Sequence, residues 1–452
     1  MSGGARALAI VLFGTVVAPL DSAVNAAFPA ITAAFSLEVA AIQWLVIAYM
    51  VTFSSLIIVS GRVADLFGHR RVFGWGLAVS ALAFLGCGLA PGYGGLLAAR
   101  VVQGVGVAFL LGAGPALALG AYPATERTRV LARYAAAFAI GLAAGPALGG
   151  VLVDAFGWRA VYLARVPIAL GALLLLAYVP PTRIRPGRAF DSAGALLLAA
   201  WTGSLMLALT LRGAVGVGLG AAAAAAFALF VAREARAAEP TIRVALFRDA
   251  AFAVPNLASV AVHFAGFGIF LLGPYFFVRI TGLSAQGAGL LLAVGPAAAA
   301  LGSALAGRIA HAAGARHVAL AGTLLNLVGV SITATWDAQT GVAAIAGTLA
   351  LQGLGIGLFQ VAYADTVIAA LPAEDRGVAA SLANLTRTFG VVSCAALMSA
   401  LFAAGERAAL GGGAAPVAAF ADGFAFAFGV AATGLTALLA LSFVKGRAWR
   451  DA

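Results

Sequence analysis

The sequence predicts an all-α polytopic membrane protein: two six-helix bundles with two extra intervening helices, fourteen spans in all, N and C termini cytoplasmic. Three observations predict it. The 452 residues are 63% hydrophobic and only 10% charged, whereas ordinary soluble domains carry about 25% charged residues. Basic residues collect in alternate connections. Two polar signatures of the first half return in the second.

A chain this apolar is neither disordered, which needs low hydrophobicity and high charge, nor a string of soluble domains. Its net charge of +11 admits nucleic acid or an anionic membrane as partner, so the distribution of charge decides. The sole lysine, Lys445, lies in Val444-Lys445-Gly446, which excludes a phosphate-binding Gly-x4-Gly-Lys-Ser/Thr loop. Cys87 and Cys394 sit in apolar runs and offer neither metal spacing nor a disulfide framework. After Arg6 the apolar run continues through Asp21 to Ile31. A cleavable signal would stop after ~7–15 apolar residues, so this is expected to be an uncleaved first span.

A helix needs ~20 mostly apolar residues to cross the bilayer. Cutting at charged and Pro/Gly-rich breaks places spans at 8–30, 42–61, 72–90, 95–120, 132–153, 159–179, 192–211, 214–232, 252–277, 285–306, 317–336, 342–366, 378–403 and 423–443. The eighth carries the least hydrophobic drive, being mostly Gly and Ala. With the N-terminus inside, twenty of the 27 basic residues fall in inner segments and four (Arg159, Arg212, Arg279, Arg407) in outer ones. Arg100, Arg165 and Arg387 lie within spans. Cytoplasmic loops concentrate Lys and Arg, so this asymmetry orients the chain and leaves no basic patch for nucleic acid.

Gly61-Arg62-Val63-Ala64-Asp65-Leu66-Phe67-Gly68-His69-Arg70 returns as Gly307-Arg308-Ile309-Ala310-His311-Ala312-Ala313-Gly314-Ala315-Arg316. Gln103-Gly104-Val105-Gly106 returns as Gln352-Gly353-Leu354-Gly355 at nearly the same offset, and Pro123–Arg127 aligns with Pro372–Arg376. Repeated bundles with a site between them near the midplane are how secondary transporters are built. The expected organisation is a bundle over 1–180, two intervening helices over 190–233, and a second bundle over 250–445.

Four signatures carry a resemblance. They are Leu20-Asp21-x3-Asn25-x3-Pro29-x-Ile31, Gly61-x3-Asp65-x2-Gly68-x-Arg70-Arg71, Arg100-x2-Gln103-Gly104-x-Gly106 and Gly141-x3-Gly145-Pro146-x2-Gly149-Gly150. Together with Leu246-Phe247-Arg248 and Asn384-x2-Arg387-x2-Gly390, they resemble the major facilitator superfamily, and within it the fourteen-span drug:proton antiporters. The resemblance implies export of lipophilic compounds in exchange for protons. Two departures stand out. Arg165 replaces the usual Asn before Val-Pro-Ile, and span thirteen lacks the acid that some exporters of dicationic drugs carry there.

An ionisable side chain within a span costs at least ~2.5–3.5 kcal/mol and usually marks a pathway or relay. Only Asp21 and Asp365 among the acids lie clearly within spans. Asp21 follows Arg6 by a helical rise of ~22 Å, and Arg100 lies ~9 Å below the outer surface; in a ~30 Å core these depths coincide. Asp21 is expected to bind the proton while Arg100 stabilises the carboxylate; a static ion pair is the alternative. For Asp365, a second proton site, a contact to a cationic substrate and an inner-gate salt bridge all stay open.

Asn25, one turn after Asp21, could bond substrate or join two helices. The substrate cavity is further assigned Trp44, Tyr49, Gln103, His263, Gln360, Asn384 and Arg387. Trp44, Tyr49, Phe264, Phe267 and Phe270 could form an aromatic surface or face lipid. His263 could titrate or simply be hydrogen-bonded. Arg165, a long side chain, could snorkel outward. Gly61, Asp65, Gly68, Arg70 and Arg71 read as an inner gate at helix ends, against a purely topological role for their positive charge. Gly141, Gly145, Pro146, Gly149 and Gly150 form a smooth, kinked helix face for close packing; its link with antiport rests on the resemblance.

The expected partners are a small-molecule substrate, protons and the lipid bilayer, in a bacterial cytoplasmic membrane, with a monomer as the working unit. No cofactor is expected, because the proton gradient supplies the energy. One dedicated metabolite or antibiotic is the alternative cargo. An enzyme would need a nucleophile or metal constellation that His-poor, Cys-poor spans do not offer, and a sensor would need a soluble output domain.

Overall fold

A computed structural model describes residues 3–120, 122–180, 192–211, 213–234, 248–369 and 376–444. Several basic loop positions, the aligned Pro372–Asp375 loop and the C-terminal Lys445, Arg447 and Arg450 lie outside the described residues.

The first span is a broken helix rather than the continuous one expected. α1 (Gly3–Val16) yields to a 3-10 turn at Pro19–Ser22 and resumes as α2 (Ala23–Ala26) and α3 (Phe28–Ala34). Proline has no N–H for the ladder and its ring clashes with the carbonyl four residues back. Around Pro19 the backbone therefore bonds at shorter range, Val17 to Gly14, Ala18 to Thr15 and Asp21 to Ala18.

The first half continues with α4 (Gln43–Phe67), α5 (His69–Gly88), α6 (Tyr93–Leu119), α7 (Arg127–Phe156), α8 (Ala160–Leu163) and α9 (Arg165–Leu175). Next come α10 (Ser192–Thr210) and α11 (Gly213–Glu234). The second half holds α12 (Ala250–Arg279), α13 (Ala285–Ala313), α14 (Ala315–Thr333), α15 (Val342–Ala369), α16 (Arg376–Gly411) and α17 (Pro416–Val444). Among the described residues there is no strand. Thirteen segments among the described residues are long and apolar enough to cross a membrane. α11, thin in bulky side chains, is one of them; α10 instead presents the shorter apolar stretch Leu196–Ala208.

The sequence repeat is also a packing repeat. Gly104 on α6 abuts the Tyr49–Phe53 backbone of α4, and Gly353 on α15 abuts Gly295 of α13. Gly106 faces Gly76 and Ser80 of α5, and Gly355 faces Gly322 and Asn326 of α14. Close backbone approach through small residues is how membrane helices gain packing without a hydrophobic driving force. Both loop motifs also turn through a left-handed glycine, Gly68 at φ 91° and Gly314 at φ 84°, a conformation that suits a residue without Cβ.

One hydrophobic cluster is confined to the first half, around Phe73, Leu77, Phe84 and Leu110; a larger one joins residues of both halves. α10 packs on α4 of one half and α16 of the other. Its Trp201 ring lies 5.7 Å from Phe389 and 4.8 Å from Phe227 of α11, so the intervening pair is anchored through α10.

Candidate functional site

The break in the first span puts Asp21 in a 3-10 turn, and α7 is the mould that holds the turn. Gly141 faces Pro19, Gly145 faces Ser22, and Gly149 faces the Ala23 backbone. A side chain at any of these would occupy the space of the turn. Ser22 Oγ donates toward Pro19 O at 2.9 Å and Leu142 O at 3.0 Å, tying turn to helix. The smooth face expected of α7 thus has a defined partner, the segment that carries Asp21.

One carboxylate oxygen, Asp21 Oδ1, accepts three hydrogen bonds: from Arg100 Nη1 at 2.7 Å, Gln103 Nε2 at 2.7 Å and Arg165 Nη1 at 2.8 Å. Arg100 and Gln103 are one turn apart on α6, and Arg100 Nη1 also donates to Gln103 Oε1 at 2.8 Å. Arg100 Nε donates to Leu45 O at 2.9 Å, and its guanidinium lies 4.5 Å from the Tyr49 ring centroid. The depth coincidence of Asp21 and Arg100 is therefore a direct contact.

Arg165 does not snorkel. It is 3% exposed and turns inward from the start of α9, because a buried carboxylate offers it more than a distant interface. Its Nε donates to Val161 O at 3.1 Å, and its guanidinium sits 4.3 Å from the Phe84 centroid and 5.2 Å from that of Tyr162. Nη2 is buried without a hydrogen-bond partner among the described residues. Two guanidiniums on one carboxylate leave the cluster with a surplus positive charge, which membrane interiors tolerate poorly.

The remaining expected site residues are dispersed. Asn25 follows the turn in α2 and is buried. Trp44, Phe264, Phe267 and Phe270 are partly buried against the larger core. His263 Nδ1 lies 2.8 Å from Ser259 O; a carbonyl only accepts, so this nitrogen carries the hydrogen. Arg387 is half-buried, 5.9 Å from the Phe138 centroid of α7, and forms no ion pair among the described residues. Asn384 is half-buried, whereas Gln360 and Asp365 are exposed. Asp365 is not brought to the Asp21 cluster.

The halves meet at the arginine-poor ends of their helices. Asp154, near the end of α7, accepts from the backbone N–H of Ala285 at 3.1 Å and of Gln286 at 2.9 Å. These are among the first N–H groups of α13, which lack intrahelical acceptors. Gly150 packs against Ala285 and Gln286, and Gly289 against Pro146 and Gly150; Tyr275 OH donates to Phe28 O at 3.3 Å. At the arginine-rich end, Gly61 faces Gly112, Asp65 lies 3.7 Å from Arg62 and 3.4 Å from His69, and Arg70 donates to Ala177 O at 3.3 Å. All of these partners belong to the first half. Arg71, beside Arg70, is exposed.

Two features were not anticipated from sequence. Asp154, a few residues beyond the Gly149-Gly150 pair, was legible only as a polar residue at a span end. A buried network joins α12, α15 and α16: Tyr363 OH donates to Asn256 Oδ1 at 2.9 Å, and Ser259 Oγ and Thr386 Oγ1 lie 2.9 Å apart. The spacing of Asn256, Ser259 and His263 on one helical face was its signal.

The family model described as Major Facilitator Superfamily matches residues 11–192. The multidrug resistance protein Stp of Mycobacterium tuberculosis is 32% identical over 389 residues, covering 84% of this chain and 72% of that protein. The chain belongs to the major facilitator superfamily. As a superfamily member it is a transporter and not an enzyme. The methylenomycin A resistance protein of Streptomyces coelicolor is 32% identical, covering 83% of this chain and 81% of that one. The fold matches the crystal structure of a bacterial homologue of the human lysosomal transporter Spinster, with a TM-score of 0.77, 16% identity and coverage of 99% and 98%.

Proposed function

We propose that this chain exports small lipophilic or amphipathic compounds in exchange for protons, by alternating access between two six-helix halves. The names of its relatives, resistance proteins for several drugs or for one antibiotic, support export. The observation that carries proton coupling is Asp21, an acid at membrane depth whose Oδ1 is held by Arg100, Gln103 and Arg165.

With the arginine-rich side cytoplasmic, the contacts among Asp154, α13, Phe28 and Tyr275 close the outer side, and among the described residues the ion pairs of Asp65 and the hydrogen bond of Arg70 stay within the first half. Protonating Asp21 removes the charge that both arginines hold, loosening the turn from α6 and α9. The turn continues into α2 and α3, which touch α13 and α12 of the other half. A proton arriving from outside is therefore placed to alter the closure between the halves. No cofactor enters the cycle; the partners are substrate, protons and lipid, and one chain suffices because it contains both halves. The setting is a bacterial cytoplasmic membrane. The organisation we propose is a first bundle over 1–180, an intervening pair over 190–233 and a second bundle over 250–445.

The test is transport in sealed proteoliposomes with an imposed pH gradient, reading a pH-sensitive dye while lipophilic cations, neutral drugs and acids are added in turn. Substrate-dependent proton movement that disappears in Asp21→Asn supports the reading. Proton-driven uphill efflux retained in that variant refutes the assignment of Asp21.

A further inference from the structure

The charges facing the midplane do not balance. Among the described residues Asp21 is the one acid brought to these arginines, and Arg100 and Arg165 both spend an Nη1 on the same oxygen of it. Arg165 Nη2 is buried with no hydrogen-bond partner among the described residues. Arg387 adds a third cation from α16, half-buried and without an ion pair among the described residues. Tyr49 of α4 links the groups: it lies under Arg100 and within electrostatic reach of Asp21, Arg165 and Arg387. Asp365 does not restore the balance. It is four residues from the end of α15, so ~6 Å deep by helical rise, whereas Arg387 is ~16 Å deep.

Three guanidiniums against one carboxylate make the field in this region positive. Low-dielectric walls strengthen such a field and raise the local concentration of ions of the opposite sign. Ionisable groups inside membranes normally pair with one another, and among the described residues Arg387 has no protein anion paired with it.

We propose that the cargo of this transporter is a lipophilic monoanion, whose carboxylate or equivalent acidic group docks against Arg387 in the field that Arg165 sets. This rests on the export reading above and names the class of its substrate. Arg387 is the docking group, partly exposed and crossed on one side by the Phe138 ring, with His263 of α12 within electrostatic reach. Arg165 is a positioning residue for charge selection: it over-neutralises Asp21, so a cation entering the cavity meets no free carboxylate. A planar guanidinium matches a carboxylate in a way that a point charge does not, and the partly buried aromatic side chains Trp44, Phe264 and Phe267 supply apolar surface for the rest of such a molecule.

Equilibrium binding tests the charge preference apart from transport. The full-length protein in nanodiscs is titrated at fixed pH, in gluconate buffer, with anthracene-9-carboxylate, 9-anthracenemethanol and 9-anthracenemethylammonium, one skeleton in three charge states. The carboxylate is expected to bind about tenfold or more tighter than the ammonium, the range of a charge-assisted hydrogen bond. Arg387→Gln should remove most of that advantage. Arg165→Asn, which installs the residue that the family resemblance leads one to expect there, should narrow the ratio by raising ammonium binding. Melting curves on both variants confirm that they are folded, and Arg387→Gln carries the test if Arg165→Asn does not fold. No saturable carboxylate binding, an ammonium that binds as well as the carboxylate, or identical carboxylate affinity in wild type and Arg387→Gln would each overturn the proposal. Displacement of the carboxylate by an equal concentration of chloride would assign the site to an inorganic counter-ion and also overturn it. The export reading itself fails separately, if no compound of any charge drives proton movement in proteoliposomes.

Discussion

Arg165 Nη1 and Arg100 Nη1 donate to the same oxygen of Asp21, at 2.8 and 2.7 Å. One carboxylate thus holds two buried cations from α9 and α6. Removing one partner of a buried pair typically destabilises by about 3–5 kcal/mol because a charge is left uncompensated. Asp21→Asn should therefore lower the melting temperature of the purified protein by several degrees. Asp21→Asn combined with Arg165→Asn should recover most of that loss, since a single cation remains beside Tyr49 and Gln103. Thermal unfolding in detergent checks this, and a double variant less stable than Asp21→Asn alone would contradict it.

The glycine face of α7 makes a graded prediction. Gly149 faces the Ala23 backbone, which cannot move aside, while Gly141 faces the Pro19 ring. Overpacking costs about 1–3 kcal/mol, so Gly149→Ala should destabilise more than Gly141→Ala and should also impair coupled transport by displacing the Asp21 turn. Gly218→Ala on α11 meets open space and should stabilise by about 1 kcal/mol or less through helix propensity. Equal effects at Gly149 and Gly218 would refute this account of the face.

Asp154 caps the first turn of α13 across the two halves. Losing a capping side chain costs about 0.5–2 kcal/mol, and here the loss acts only when the arginine-poor ends are closed. Asp154→Ala should thus shift the equilibrium toward opening at that end by about two- to thirtyfold. Spin labels at Phe156→Cys and Ala338→Cys, both exposed in the structure, would report a longer distance population. The native Cys87 and Cys394 are buried and leave the labelling selective. An unchanged distance distribution would show that closure does not depend on this cap.

The loop between α14 and α15 carries a pH-dependent turn. The Thr340 hydroxyl, foremost, and the Gln339 N–H hold the Asp337 carboxyl below the usual carboxylate range. A carboxylate depressed in the folded state contributes its stabilisation above its unfolded pKa and loses it as pH falls through the folded one. The turn should be fully formed at neutral pH and open only in acid below the ordinary Asp range. Titrating the Gln339 amide resonance checks the sign; a midpoint at or above an ordinary Asp value would refute it.

Much of this protein is written in local chemistry. Apolar runs, arginine spacing and the repeated Gly-rich signatures were enough to anticipate an all-helical membrane bundle built twice, because bilayer thickness and positive loops act on short stretches of chain. The meeting of Asp21 with Arg100 was also legible, since helical rise converts residue number into depth. Depth, however, does not fix direction around a helix axis. Arg165 read as a side chain that could reach outward, and only the packing of α9 beside α5 and the first span turned it toward Asp21. The break at Pro19 had a visible cause, but its register depended on the groove that Gly141, Gly145 and Gly149 offer from α7. Asp154 reaching Ala285 and Gln286, and Arg387 lying over Phe138, join residues more than a hundred positions apart. Such contacts belong to the mutual orientation of helices, which side-chain packing over the whole bundle decides and no short stretch of sequence encodes.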